Sequence, residues 1–236
     1  MCLTVLLSGC SSNPEQSPAE PPPAATAAKT QELAKKVESD EPYQSPIDFK
    51  KLQQQNEDIY AWLEIPGTEI SFPVVQHPEN DAYYLKHNVD KQDDRDGAIF
   101  TEHEFTKKDF SDPVTVIYGH NMRKKNFGRL QEYYSDGENI KNLSKIILYL
   151  PEKELHYAVF AAVPFDNRHI LYSHDFQNQH IFELFFQHLC SIRAFGANFA
   201  EENFPKKDDH VLILSTCLMG DLNQRYLVCA IEQTAQ

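Results

Sequence analysis

Cys217 and Arg225 stand eight positions apart near the C-terminal end of the chain, each beside a short apolar run. Val211-Leu212-Ile213-Leu214 precedes the thiol, and Tyr226-Leu227-Val228-Cys229-Ala230-Ile231 follows the guanidinium. Runs of this kind read as buried strands, with Leu218 to Gln224 as the connecting loop. If the two strands pair side by side, both side chains can point into one cleft, a nucleophile beside an anion stabiliser. A thiol at its ordinary pKa of ~8.5 is mostly protonated at neutral pH, so it needs a base or a cation nearby. His120 is the candidate, because the β-branched run Thr115-Val116-Ile117-Tyr118 ends at Gly119 and then presents an imidazole.

The 236 residues are 41% hydrophobic and 24% charged, which suits one globular domain with extras. A net charge of −13 argues against a nucleic-acid surface and against electrostatic docking to anionic lipid. Residues 1–10 are too short for a membrane span and lack a basic leader. Yet Leu7-Ser8-Gly9-Cys10 has the form of a lipobox, in which Cys10 would be lipidated. The alternative is the remnant of a hydrophobic anchor, and either implies export. Residues 11–44, rich in Pro, Ala and Ser, read as a tether that cannot bury enough surface to offset its ordering entropy.

The head, residues 45–236, should open with a helix capped by Ser45, with Pro46 at its first position, running to about Asp58. Tyr60 to Ile65 and Ile70 to Val75 flank the turn Pro66-Gly67 as a hairpin. A helical turn is expected over Asp81 to Leu85, a strand over Gly97 to Phe100 and a short helix over Asn126 to Gln131. Further strands cover Ile146 to Leu150 and Leu155 to Val163. Phe182, Phe185, Phe186, Leu189, Ile192 and Phe195, three or four apart, mark an amphipathic helix from Phe176 to Phe195.

Ile117-Tyr118-Gly119-His120-Asn121-Met122 with Phe127-Gly128, and Leu214-Ser215-Thr216-Cys217 with an arginine on the next strand, closely resemble the class B sortases. Trp62 to Thr68 with Pro73-Val74-Val75-Gln76 resembles the N-terminal part of that class, so the resemblance spans roughly 45–232. It implies a mainly β fold: a closed sortase-type β-barrel with an N-terminal helix and a long helix inserted before the cysteine strand. It implies a cysteine transpeptidase that cleaves a C-terminal sorting motif of surface proteins after threonine through a thioester. The acyl group then passes to an amine of a cell-wall precursor (lipid II) or of a pilin. Cys217 would be the nucleophile, His120 the proton donor to the leaving amine and Arg225 the anion stabiliser. Ser215, Thr216 and Asn121 would bind substrate. The chain would work as a monomer at the outer face of the cell membrane of a Gram-positive-type cell, tethered through its N-terminus. Ile213 departs from the family pattern, where threonine is usual, and is expected to alter packing of the substrate wall.

Each group has a plainer reading. A cysteine ending an apolar strand is ordinarily a small core residue; the company of Thr216, Arg225 and the Tyr-Gly-His phrase favours the nucleophile. Cys190 and Cys229 read as buried free thiols, and the other nine histidines as ordinary surface residues. No cofactor or metal is expected, since no C-x-x-C or H-E-x-x-H spacing occurs. The acidic loop containing Asp90, Asp93, Asp94 and Asp96 lacks the calcium-loop spacing and reads as solvated. A hydrolytic cysteine peptidase and a non-catalytic, surface-displayed binding lipoprotein are the competing functions.

Overall fold

Alternating apolar residues drive most of the head into strands, and the computed structural model, which describes residues 42–122, 125–200 and 204–233, closes them on themselves. In chain order the elements are α1 (Phe49–Gln55), β1 (Ile59–Glu64), β2 (Ser71–Val75), a 3-10 turn (Tyr83–Leu85), β3 (Ile99–Phe100) and β4 (Val114–Tyr118). A small ribbon, β5 (Asn121–Met122) with β6 (Lys125–Asn126), is followed by α2 (Leu130–Tyr134) and α3 (Asn139–Asn142). Then come β7 (Lys145–Tyr149), β8 (Glu154–Asp166), α4 (Ile170–Ser173), α5 (Gln179–Ser191), β9 (Asn198–Phe199), β10 (Val211–Leu218) and β11 (Asp221–Gln233). The sheet runs β11-β10-β4-β3-β2-β1-β7-β8, and β11 pairs again with β8, so eight strands form a closed barrel with β9 attached to β8. The mainly β, barrel-forming expectation is met.

Strand alternation sorts side chains into two layers. Leu212, Leu214, Tyr226, Val228 and Ala230 point into the barrel, packed with Leu63, Ile117 and Leu148. Val211, Ile213, Leu227, Cys229 and Ile231 point outwards and lie under α5, where Phe182, Phe185, Phe186 and Leu189 form the buried stripe. Burying each such aromatic contributes about 1.5–3 kcal/mol, which is what fastens α5 to the sheet. On another side Phe49 of α1 packs with Val75, Tyr84 and Phe100.

Several boundaries differ from the sequence expectation. The first helix is capped by Asp48, whose carboxylate accepts from the Lys51 amide at 3.1 Å, while the Ser45 hydroxyl accepts from Ile47 in a turn before it; the helix ends at Gln55. The α5 helix starts only after Asn178, whose side chain accepts from the His180 and Ile181 amides, and stops at Ser191. Phe195 therefore lies beyond the helix, fully exposed, and the segment before Asn178 holds the separate short α4. The expected helix over Asn126 to Gln131 shifts to α2, leaving Asn126 in β6. The supposed loop 218–224 shrinks to Met219-Gly220, with Gly220 at φ +89, so Cys217 and Arg225 both lie within strands. Ile213 is fully buried under α5, away from any substrate wall. Cys10, the lipobox and the tether up to residue 41 lie outside the described residues.

The cap assignment is testable by urea unfolding. Asp48→Ala should lower stability by about 1 kcal/mol, and Ser45→Ala by clearly less; the reverse order would return the helix start to Ser45.

Candidate active site

β10 lies between β4, which it pairs in parallel, and β11, which it pairs antiparallel. The antiparallel register sets Cys217 directly opposite Arg225. Side chains so placed share a face, with Cβ atoms roughly 4.5–5.5 Å apart. The parallel register sets Ser215 beside Tyr118, and the Gly119 amide extends that ladder by donating to the Ser215 carbonyl at 3.1 Å. Two residues further on, His120 and Cys217 are reached together. All three lie on the outward face beyond the cover of α5, lining a cleft of about 290 Å³ together with Ser215, Thr216 and His169.

Local packing fixes each group. Gly119 is needed because the Phe127 ring lies where a side chain would start: a Cβ would sit 2.7 Å from Phe127 Cδ2. The His120 Nε2 lies 2.9 Å from the Leu85 carbonyl oxygen. Arg225 Nη1 donates to the Leu222 and Gln224 carbonyls at 3.1 and 3.2 Å, which leaves most of the guanidinium fork for other acceptors. The Asn121 side-chain amide donates to the Cys217 carbonyl at 2.8 Å, so it supports the backbone that carries the thiol and is not among the residues lining the cleft. Ser215 and Thr216 do line the cleft, both nearly buried, and the Thr216 hydroxyl has no hydrogen-bond partner among the described residues.

One wall was not foreseen from sequence. His169 caps α4, its Nδ1 accepting from the Tyr172 amide at 3.1 Å, and its Nε2 lies 2.8 Å from Glu102 Oε1. Because Nδ1 accepts, the proton on the neutral ring is at Nε2 and is directed to Glu102. The Tyr118 hydroxyl approaches the same carboxylate without closing a well-formed bond. Burial first, then the negative charge of Glu102, pushes the Tyr118 phenol up. Burial also holds the Glu102 carboxyl above its usual range, against the lowering pull of His169.

The other described cysteines are poor nucleophiles. Burial pushes the Cys190 thiol up to about 11 and the Cys229 thiol well above its ordinary value, and each unit cuts the thiolate fraction about tenfold. Of these three thiols, a small alkylating reagent at pH 7 should modify Cys217 first, read by peptide mass spectrometry; earlier labelling of Cys190 would contradict this geometry.

The raised Glu102 pKa means that the folded state holds this proton more tightly than the unfolded chain. Its stabilising contribution is complete below the unfolded value and is lost as pH rises through the folded one. In a His169→Gln background, which removes the neighbouring titration, the protein should lose stability relative to the further Glu102→Gln variant as pH rises from about 4 to 7. Denaturant midpoints measured across that range check it, and parallel curves would contradict it.

A family model described as a sortase domain matches residues 63–233. Sortase B of Staphylococcus aureus is 26% identical over 171 residues, which cover 72% of this chain and 67% of that protein. Sortase B of Listeria monocytogenes is 41% identical over 87 residues; that match spans 36% of this chain and 35% of the relative's length. The crystal structure of Clostridium perfringens sortase B superposes with a TM-score of 0.68 at 28% identity, covering 78% of this chain and 99% of that one. With a thiol, an imidazole and a guanidinium gathered at one barrel mouth, and with that family model covering most of the described head, the chain belongs to the sortase family of cysteine transpeptidases, in its class B form.

Proposed function

We propose that the transpeptidase chemistry of the family runs in this chain through Cys217, His120 and Arg225, on a sorting-signal peptide cleaved after threonine. The observation that carries the reading is the register of β10, which puts the thiol opposite the guanidinium on one side and level with the imidazole on the other. The Cys217 sulfur, as thiolate, adds to the scissile carbonyl, and the charge that develops on oxygen is met by the Arg225 guanidinium. The ladder shifts register between Cys217 and Leu218, at the end of β10 beside the sulfur. His120, as imidazolium, gives a proton to the leaving nitrogen as the C–N bond breaks, and a thioester remains. An incoming amine gives its proton back to the imidazole as it displaces the sulfur, which restores both groups.

The acceptor amine belongs to a peptidoglycan precursor such as lipid II, or to a pilin. The head works as a monomer at the outer face of the membrane, held there by a lipidated Cys10 or a hydrophobic anchor through the 11–44 tether. Support for this part is the sequence pattern of residues 1–44 and the family's substrate class.

Incubation with a sorting peptide and several amines, followed by mass spectrometry, tests the reading. Cys217→Ala should abolish cleavage. Arg225→Lys keeps the charge but loses the planar fork and should lower kcat/KM by about 100-fold. Added amine should divert the product from acid to amide. Release of acid alone at saturating amine would make the chain a hydrolytic peptidase, and cleavage by Cys217→Ala would end the assignment of the nucleophile.

A further inference from the structure

We infer that the strap of residues 83–98 is the positioning device for the catalytic imidazole: through the Leu85 carbonyl it fixes the His120 proton on Nε2, which makes Nδ1 the nitrogen that exchanges the proton with substrate. The inference rests on the role given to His120 above and adds which atom acts and what orients it. A carbonyl oxygen can only accept, so the 2.9 Å contact from His120 Nε2 to Leu85 requires the hydrogen on Nε2. In the neutral ring Nδ1 is then the basic nitrogen. In the imidazolium the Nε2 bond persists, and Nδ1–H is the bond that breaks as the leaving amine gains its proton.

The strap is built to hold that carbonyl still. Tyr84, almost fully buried, donates its hydroxyl to Asp58 Oδ2 at 2.6 Å and receives the Asn56 amide at 2.8 Å. The second Asn56 hydrogen goes to the Val89 carbonyl at 2.8 Å, and Lys91 Nζ lies 3.0 Å from the same Asp58 oxygen. Both limbs of the strap are thus tied to one buried point at the start of the barrel. Its return limb is clamped by the Ala98 amide, which donates to the Tyr84 carbonyl at 3.0 Å.

Gly97 lets the two limbs and the imidazole meet. Its φ of +58 lies in the left-handed region, and a Cβ there would stand 2.4 Å from the Tyr84 carbonyl oxygen and 3.1 Å from His120 Cδ2. Any side chain would push the strap away from the ring. Leu85 also presents its side chain, 40% exposed, to the cleft, so the residue that a bound peptide touches is the one whose carbonyl orients the imidazole. A carbonyl supplies direction without a full negative charge, and it sets the tautomer.

The tautomer can be read without any activity. Nitrogen-15 spectra of the imidazoles, with His120 assigned by its loss in His120→Gln, should show Nε2 protonated and Nδ1 bare above the ring's titration. A His120 ring protonated at Nδ1 would overturn the inference while leaving Cys217 and Arg225 as assigned above. Gly97→Ala should lower kcat for peptide cleavage by roughly 10–100-fold, raise KM by less than that because Leu85 moves with the strap, shift the pH profile of kcat, and mix the two His120 tautomers. If Gly97→Ala does not fold, Leu85→Ala, which keeps the carbonyl, should raise KM and retain the Nε2–H form. A changed tautomer in Leu85→Ala, or an unchanged one in a folded Gly97→Ala, counts against the strap as the orienting device.

Discussion

Parallel pairing of β4 with β10 is the constraint on which the site depends. Antiparallel neighbours run in opposite directions, so their C-terminal ends lie at opposite edges of a sheet. Parallel neighbours end together. Tyr118 beside Ser215 therefore commits the residues that follow, His120 and Cys217, to the same mouth of the barrel, although 96 positions separate Asn121 from the Cys217 carbonyl to which it donates. The antiparallel β11 then brings Arg225 back along the other side of the thiol. A parallel pair needs a long crossover, and the residues between β4 and β10 supply it with β7, β8 and the helices, which also complete the barrel and cover its outer face.

Along that outer face, three neighbouring strands change character at one level. Val114 and Val116 give way to Tyr118 and then His120; Val211 and Ile213 to Ser215 and Cys217; Ile231, Cys229 and Leu227, read backwards, to Arg225. The apolar part is what α5 covers, and the chemical part is what it leaves open. The helix thus sets one boundary of the cleft, and its buried phenylalanines hold the strands whose ends lead into it. The apolar Ile213 belongs to the covered part, so its departure from the family pattern falls in packing under the helix.

This explains how much was legible in the sequence. The strands, the barrel class and the three side chains that meet in the cleft follow from period-two apolar runs and from residues at their polar ends. What was misread depended on which of several adequate local signals wins. Ser45 and Asp48 both offer an N-cap, and the choice falls to Asp48 because Phe49, the first helical residue, is the one buried against Val75 and Phe100. Phe195 continued the helical spacing, but Ile192 takes an extended conformation and the Arg193 guanidinium closes the end by bonding the Cys190 carbonyl. The Glu102–His169 contact joins residues 67 positions apart and has no local signature; only the closed barrel places Glu102, two residues after β3, against the cap of α4.

The electrostatic arrangement of the cleft has its own logic. An arginine and a histidine proposed to act on a substrate oxygen and a leaving amine are best left without a carboxylate partner, because a desolvated ion pair would hold them against the substrate. Here both are seated on neutral acceptors: the guanidinium on the Leu222 and Gln224 carbonyls, the imidazole on that of Leu85. The acid that does line the cleft, Glu102, is engaged by His169 and faces the Tyr118 hydroxyl, and its burial disfavours the charged form. A carbonyl oxygen of an incoming peptide then competes for Arg225 against other carbonyls, where a developing oxyanion wins by its charge. Under the proposed roles, the arrangement gives weak hold on the ground state and stronger hold on the transition state, which is the differential binding that catalysis requires.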